Sequence, residues 1–330
     1  MAGFDTDMLA WIAGAAVLAA TLGYALRHRA EMPRLAAYIE LVRPFTLLAP
    51  VIAGACFGLM GEKSAQWVHW NADPAQFIVT MIWGVGALVL VNAASNALNA
   101  VYDIDIDRIN KPERPLPRGA INPQEATTIA YLLYFLTFFR SSFINPAFTV
   151  FVFAIMMLTI AYSAPPLRTK KHFLVNNATI ALARGLFGVL ASWSIFGNPL
   201  DPVPWSVGLI LFVFLFGAAT TKDFTDIPGD KEYGMRTLPI VVGVERAAVI
   251  SASFFVIPLV IVPVLVQFRV LYDSANYLLI LVFWGAYVVV HTKEWTHSRD
   301  RNFENNPMWA QMYFLLMALA VGFSLTYLTS

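Results

Sequence analysis

Five polar side chains recur at helical spacing in the segment NALNAVYDIDIDRINKPERPLPRG, residues 96–119, and in the turn before it. These residues are Asn92, Asn96, Asn99, Asp103 and Asp107, separated by four, three, four and four positions. In one continuous helix this spacing places all five on one face, whereas Asp105 points elsewhere. Carboxylates repeated every turn repel one another unless a cation lies between them. The pattern predicts a metal site, with solvated acids and helix-joining asparagines as the alternative.

A second acidic group occurs in TTKDFTDIPGDKEYGMRTLP, residues 220–239, where Asp223, Asp226 and Asp230 recur at spacings of three and four. Both groups follow an apolar run, so they can face each other across a cavity at the same depth. Oxygen ligands without histidine or cysteine favour Mg²⁺, which commonly bridges carboxylates to phosphates. The two groups together favour a magnesium site over solvated helix ends.

Basic residues lie among these acids. Arg114 and Arg118 follow the first group, Lys222 precedes Asp223, and the segment YSAPPLRTKK, residues 162–171, adds Arg168, Lys170 and Lys171. Guanidinium and ammonium groups beside a bound metal are suited to a phosphate or diphosphate. A tight proline-rich turn is the simpler interpretation of residues 162–171.

The chain that positions these residues has the composition of an integral membrane protein. Hydrophobic residues make up 58% of its 330 residues and charged residues only 13%. Windows of about 20 apolar residues, long enough to cross a bilayer, predict nine or ten helices and an all-α polytopic fold. The windows are 8–26, 45–61, 77–100, 125–140, 145–163, 173–197, 205–222, 247–267, 274–292 and 308–328.

The first window has an acidic leader and no clear cleavage site, so it predicts a retained transmembrane helix rather than a signal peptide. The single cysteine, Cys56, excludes an internal disulfide. Nucleic-acid binding is not indicated, because no basic stripe with aromatic platforms occurs.

Lysine and arginine residues are distributed unequally between alternate loops. One set of loops holds 18 of them and the other set holds 3, while Arg184 falls inside a predicted span. The positive-inside rule places the richer set, and with it both acidic groups, on the cytoplasmic side. An arginine inside a span must face a cavity or a partner, so Arg184 is either a ligand contact or part of a buried ion pair.

The three segments resemble the intramembrane UbiA-type prenyltransferases. The similarity rests on Asn99-x-x-x-Asp103-x-x-x-Asp107 followed by NKPERPLPRG, then YSAPPLRTK, then DFTDIPGDKEYGMRTLP, and extends from about residue 37 to the C-terminus. It implies a bundle of nine helices around a cavity, formed by residues 37–330. Residues 1–36 would then be an extra N-terminal transmembrane helix with a basic linker.

The resemblance also implies roles for individual residues. Asn99, Asp103 and Asp107 would hold one Mg²⁺, and Asp226 and Asp230 the other, with help from Asp223. The residues implied to bind the substrate are Arg43, Arg114, Tyr162, Arg168, Lys170 and Lys222. Many members have Asn-Asp where this chain has Asn99-Ala100, so part of the outer support of the metal is expected to be missing.

Such an enzyme would alkylate a lipophilic acceptor with a polyprenyl group, expected to be geranylgeranyl, taken from its diphosphate within the membrane lipids. The sequences of the motifs resemble the archaeal lipid and homogentisate branches of this family more than its 4-hydroxybenzoate branch. Geranylgeranylglyceryl phosphate and an aromatic quinone precursor are therefore both candidate acceptors.

Two other classes of protein also combine membrane helices with acidic residues. A CDP-alcohol phosphatidyltransferase would carry DGxxAR and GxxxDxxxD, which this chain lacks. A cation transporter would usually place its acids near the midplane of the membrane, at discontinuous helices.

Overall fold

The computed structural model describes residues 20, 24, 32–298 and 305–330. The predicted span at 8–26, the basis of the proposed extra unit 1–36, falls outside the described residues except for positions 20 and 24. In the remainder, every other predicted window coincides with a helical segment, which confirms the all-α fold.

Nine long helical segments of the described ranges are named here α1 to α9. They are α1 (Pro44–Ser64), α2 (Pro74–Tyr102), α3 (Pro123–Ser142), α4 (Pro146–Ser163), α5 (175–193), α6 (Pro202–Thr225), α7 (Val244–Gln267), α8 (Asp273–Thr296) and α9 (Pro307–Leu328). Seven of them, all but α3 and α5, are long and apolar enough to cross a membrane. The protein is an integral, multi-pass membrane protein.

Several of these helices contain irregular turns. Helix α5 has a π-helical turn at Ala181–Leu186, and α6 ends in the 3₁₀ segment Ala219–Thr225. Helix α7 consists of Val244–Ser253 and Ile257–Gln267, and α8 begins as the 3₁₀ segment Asp273–Leu281. The connections contain short helices at Pro33–Leu41, Val68–Ala72, Ile104–Asn110, Thr169–Lys171, Ile227–Glu232 and Leu238–Val242.

The boundaries of the long helices follow from local sequence. Six of the nine begin with proline, which lacks the amide hydrogen that the first turn cannot use. Asp73, Asn122, Asn145 and Asn306 precede four of these prolines, and their side chains accept hydrogen bonds from first-turn amides. Such N-caps are worth about 1 kcal/mol each.

Two hydrophobic clusters form the interior of the bundle. One lies among α2, α3 and α4, where alanines such as Ala94, Ala97 and Ala130 are fully buried and let the helices pack closely. The other joins α1, α5 and α6 to α7, α8 and α9. A cavity lies between the clusters and is lined by α1, α2, α4, α5, α6 and α9.

The π-helical turn of α5 lies where this helix approaches α6 most closely. A Cβ atom on Gly185 would lie 2.7 Å from the backbone nitrogen of Phe212. Glycine is therefore required at this contact. Turns of this type are often found at functional sites, and this one carries Arg184 on the cavity wall.

Candidate active site

The cavity between the two clusters has a volume of about 240 Å³. Its mouth is strongly polar, and its deeper part is lined by apolar side chains such as Phe57, Leu88, Ile155 and Leu211. Five aspartates and five basic side chains line the mouth. These residues are Asp103, Asp107, Asp223, Asp226, Asp230, Arg43, Lys111, Arg114, Lys170 and Lys222. The structure thus brings both aspartate groups to one cavity.

The first aspartate group lies at a break in the helix, not on one continuous helix. Helix α2 ends at Tyr102, Asp103 adopts φ −108° and ψ 9°, and a short helix begins at Ile104. The predicted uninterrupted helix through Asp107 is therefore wrong. Arg168 Nη2 donates to the Tyr102 carbonyl oxygen at 2.8 Å, so that carbonyl has a partner outside its own helix.

Asp103 is surrounded by cations from the loop after α4. Lys170 Nζ donates to the Asp103 carboxylate, and Arg168 Nη2 lies 3.3 Å from it. Lys170 also lies 3.2 Å from Asn99 Oδ1, which accepts a second hydrogen bond from Ser163 at 3.3 Å. Burial of Lys170 lowers the pKa of its ammonium, against the effect of Asp103. The YSAPPLRTKK segment therefore contributes to the site.

Asp107 lies one turn farther along the short helix and faces Arg114. Arg114 Nη1 lies 3.0 and 2.8 Å from the two carboxylate oxygens. Burial raises the pKa of Asp107, while Arg114 and Lys111 act in the opposite direction. Asp105, between the two cavity aspartates, is exposed and pairs with Arg108, as its register predicts.

The second aspartate group is arranged in a similar way. Asp226 adopts φ −104° and ψ 0° between the 3₁₀ end of α6 and the short helix Ile227–Glu232. Asp223 pairs with Lys222 through one carboxylate oxygen, while its Oδ2 atom is buried and has no hydrogen-bond partner among the described residues. That oxygen is available for a metal ion or for water bound to one.

Asp226 and Asp230 differ in their electrostatic surroundings. Burial of the Asp226 carboxyl opposes its ionisation, but Lys111 together with Arg114 and Lys222 outweighs this effect and lowers the pKa of Asp226. Burial and the neighbouring carboxylates of Asp223 and Asp226 raise the pKa of Asp230 to about 8. A bound cation would relieve this repulsion.

The two aspartate segments are in direct contact. Asn110, at the end of the first short helix, donates to the Asp226 carbonyl oxygen at 2.8 Å and accepts from the Gly229 amide at 2.8 Å. A Cβ atom on Gly229 would lie 2.8 Å from the Ile106 carbonyl oxygen. The close approach of the two segments therefore requires glycine at this position.

Two more predicted substrate-binding residues also line the cavity. Arg43 precedes α1, and its guanidinium carbon lies 5.9 Å from the centre of the Trp309 ring. Tyr162, near the end of α4, lies beside Lys222. Arg168, in contrast, is not a lining residue, and its contacts are with Tyr102 and Asp103.

Asn92 and Asn96 line the cavity and also join helices. Asn92 Nδ2 donates to the Thr46 carbonyl oxygen at 3.0 Å, and Asn96 Nδ2 donates to the Val42 carbonyl oxygen at 2.8 Å. Both amides are thus bonded to the start of α1. The helix-joining interpretation holds for these two asparagines.

Sequence reasoning missed three residues of the site. Lys111 is 3% exposed and pairs with Asp226, Asn110 joins the two segments, and Asn305 accepts from Thr225 at 3.0 Å. Lys111 follows Asp107 by four positions, which is the spacing of a helical ion pair. That spacing could have identified Lys111, whereas its partner Asp226 could not be deduced from local sequence.

The chemistry of the lining residues fits Mg²⁺. The lining residues include carboxylates and amides but neither histidine nor cysteine. Within the described ranges, no three acidic, histidine or cysteine side chains are arranged to hold a metal ion. Lysine or arginine pairs with Asp103, Asp107, Asp223 and Asp226. Mg²⁺ is usually bound by one or two carboxylates together with waters and substrate phosphates, so this arrangement fits its coordination preference.

Comparison with known sequences decides the family. The sequence model of the UbiA prenyltransferase family matches residues 47–317. The chain belongs to the UbiA prenyltransferase family. Membership confirms the resemblance carried by the three motifs, and it makes the protein a prenyltransferase rather than a cation transporter or a phosphatidyltransferase.

Archaeal relatives of this UbiA family member share one name. The digeranylgeranylglyceryl phosphate synthase of Sulfurisphaera tokodaii is 33% identical over 248 residues, covering 72% of this chain and 81% of its own. That of Pyrococcus abyssi is 28% identical over 291 residues, covering 87% and 98%.

A solved structure shows the same UbiA fold. A UbiA homologue from Archaeoglobus fulgidus bound to GPP and Mg²⁺ has a TM-score of 0.63 at 20% identity, covering 89% of this chain and 100% of its own. The all-helical fold is therefore shared over nearly the whole chain.

Proposed function

We propose that this UbiA family member transfers a geranylgeranyl group from its diphosphate to geranylgeranylglyceryl phosphate in a Mg²⁺-dependent reaction. The observation that carries the proposal is that both aspartate segments line the mouth of one cavity and contact each other through Asn110. The names of the archaeal relatives support the acceptor, and the A. fulgidus homologue supports Mg²⁺ and a prenyl diphosphate.

The aspartates divide into two metal-binding groups in this proposal. Asn99, Asp103 and Asp107 form one group. Asp223, Asp226 and Asp230 form the other, and the buried Asp223 oxygen that has no partner in the described ranges favours a ligand there. When bound, Mg²⁺ would neutralise the charge that develops on the diphosphate leaving group.

The basic residues of the mouth bind and orient the same diphosphate. Arg114, Lys170 and Lys222 each contact a carboxylate of the two groups. Arg43 lines the mouth from the start of α1. Arg168 acts through Asp103 and the end of α2 rather than on the substrate itself. Cations on several elements hold a planar or tetrahedral anion in one orientation.

The apolar depth of the cavity excludes water from the reacting carbon. Side chains of α1, α2, α4 and α6 surround it, and the polyprenyl tail extends among them towards lipid. An allylic carbon that develops positive charge is thereby protected from hydrolysis. The acceptor hydroxyl oxygen forms the new C–O bond as the C–O bond to diphosphate breaks, and its proton leaves to solvent at the mouth.

The mouth opens to the cytoplasm in this proposal. The loops that carry both aspartate segments belong to the set with 18 lysine and arginine residues, against 3 in the other set. Such an excess is typical of cytoplasmic loops. Residues 37–330 form the catalytic unit, and the N-terminal span at 8–26 is a peripheral addition.

The test uses purified protein with Mg²⁺, labelled geranylgeranyl diphosphate and three acceptors. We expect digeranylgeranylglyceryl phosphate as the product, identified by mass, from geranylgeranylglyceryl phosphate. Homogentisate and 4-hydroxybenzoate are the comparison acceptors. A prenylated aromatic product with no ether lipid would replace the proposed acceptor by a quinone precursor.

A further inference from the structure

Arg184 is a cation within the helical bundle, and the part of the chain that the structure describes offers it no acidic partner. It lies on α5, and its Nη1 atom donates to the hydroxyl oxygen of Tyr313 at 3.0 Å. No carboxylate of the described residues lies within 4.0 Å of it. A charged side chain at this depth costs several kcal/mol unless it serves a cavity or a partner. Arg184 lines the cavity.

Arg140 provides an informative contrast within the same protein. It also belongs to a membrane-embedded bundle, at the end of α3, and has no acidic partner in the described part of the chain. Its Nη2 atom, however, lies 3.3 Å from the carbonyl oxygens of Ile82 and Trp83, and its guanidinium covers the Trp83 ring at 4.3 Å. These contacts join α3 to α2, and they account for the presence of Arg140 in the bundle. Arg184 has one neutral hydroxyl partner among the described residues, and its guanidinium carries four other N–H donors.

The surroundings of Arg184 are polar although it lies in the deeper part of the cavity. Ser95, Thr159 and Ser192 line the cavity, and Thr159 is hydrogen bonded to the Tyr134 hydroxyl at 3.0 Å. Tyr134 lies within electrostatic reach of Arg184. Thr159 and Ser192 donate to carbonyl oxygens of their own helices, so the guanidinium of Arg184 is the group on this wall that suits the polar head of a substrate.

The position of Arg184 separates it from the diphosphate-binding cations. Tyr313 lies six residues after Pro307, where α9 begins, or about 9 Å along the helix, and Asn305, just before this helix, contacts Thr225 beside Asp226. The Trp309 and Tyr313 rings are tilted relative to each other with their centroids 4.7 Å apart, and Trp309 faces Arg43 at the mouth. A wall formed by Arg43, Trp309, Tyr313 and Arg184 thus extends from the mouth into the cavity.

We propose that Arg184 and Tyr313 form the binding site for the phosphate of the acceptor, below the diphosphate site. This inference rests on the proposed function, because it assumes an acceptor that carries a phosphate monoester. The guanidinium would make charge-assisted hydrogen bonds to the phosphate oxygens, and Tyr313 would hold its orientation. Arg184 would then select a phosphorylated acceptor over its neutral counterpart.

The experiment measures both binding and turnover in detergent for the wild type, R184Q, R184K and Y313F, with R140Q as the matched control. The ligands are geranylgeranylglyceryl phosphate and its dephosphorylated analogue. We expect R184Q to raise Kd and KM for the phosphorylated acceptor about 10- to 100-fold. R184K and Y313F should have smaller effects, and KM for geranylgeranyl diphosphate should change less than about twofold in all variants.

The preference for the phosphorylated acceptor should also disappear in R184Q and persist in R140Q. An unchanged acceptor KM in folded R184Q and Y313F would overturn the proposal, as would an effect confined to KM for the diphosphate. If the wild type binds the phosphorylated acceptor through Arg184 but yields no ether product, the proposed reaction fails while the binding site stands. If R184Q converts the phosphorylated acceptor at the normal rate and KM, the proposed reaction stands and the proposed phosphate site fails.

Discussion

Lys111 and Asp226 form an ion pair that joins the two aspartate segments, 115 residues apart in the sequence. Lys111 is almost completely buried, and Asp226 is partly exposed on the cavity wall. The ammonium pairs with a proposed metal ligand and also interacts electrostatically with Asp107 and Arg114. It helps to set both the distance between the segments and the charge at the mouth.

Replacing this lysine tests its double role. We expect K111M to reduce turnover more than tenfold and to lower the free energy of unfolding by about 1–3 kcal/mol, because a buried carboxylate loses its partner while remaining partly solvated. Turnover and thermal unfolding in detergent measure the two effects. Lys293 is exposed, so K293M should change neither, and an active, fully stable K111M would contradict this role.

Asp103 and Asp105 form a matched pair for the first metal group. D103N removes a cavity carboxylate, and we expect a loss of turnover of about 100-fold or more, since a proposed metal ligand and its electrostatic stabilisation are lost. D105N changes an exposed residue two positions away that pairs with Arg108. It should retain activity within about twofold. Equal activities in the two variants would exclude Asp103 as a metal ligand.

Removal of the metal should abolish turnover, and Mg²⁺ should restore it. A second readout is thermal stability, because a ligand that binds only the folded state raises the free energy of unfolding by about 2.7 kcal/mol at 100 times its Kd. We expect Mg²⁺ and geranylgeranyl diphosphate, added together, to raise the Tm of the wild type. The same addition should raise the Tm of D226N much less. A chelator-treated protein with full activity would be incompatible with the metal sites.

Gly229 tests whether contact between the segments matters. A Cβ atom there would lie 2.7 Å from Asn110 Nδ2 and 2.8 Å from the Ile106 carbonyl oxygen. G229A should separate the two aspartate segments and reduce turnover about tenfold or more, with a raised requirement for Mg²⁺. The exposed neighbour Pro228 supplies the control P228A, which we expect to stay within about twofold. The comparison is made by measuring the turnover of both variants over a range of Mg²⁺ concentrations.

Membrane composition and helix spacing predicted the helices and both aspartate groups, because apolar length and side-chain register are local properties of a sequence. The breaks at Asp103 and Asp226 were not predicted. At the first break the carbonyl oxygen of Tyr102 has a tertiary partner, because Arg168 reaches it from another loop. The pairing of Lys111 with Asp226 and the contact of Arg184 with Tyr313 depend on helix packing for the same reason.

The aspartates next to the two breaks are carried on short segments beyond the long helices, and Asn110 and Gly229 join these segments to each other. The apolar side chains that surround a prenyl tail belong to the long helices themselves. Substitutions that lengthen, shorten or reshape the tail chamber can therefore accumulate without altering the distance between the acidic residues. A protein built in this way can acquire a new isoprenoid length or a new acceptor while its ionisation chemistry is inherited unchanged.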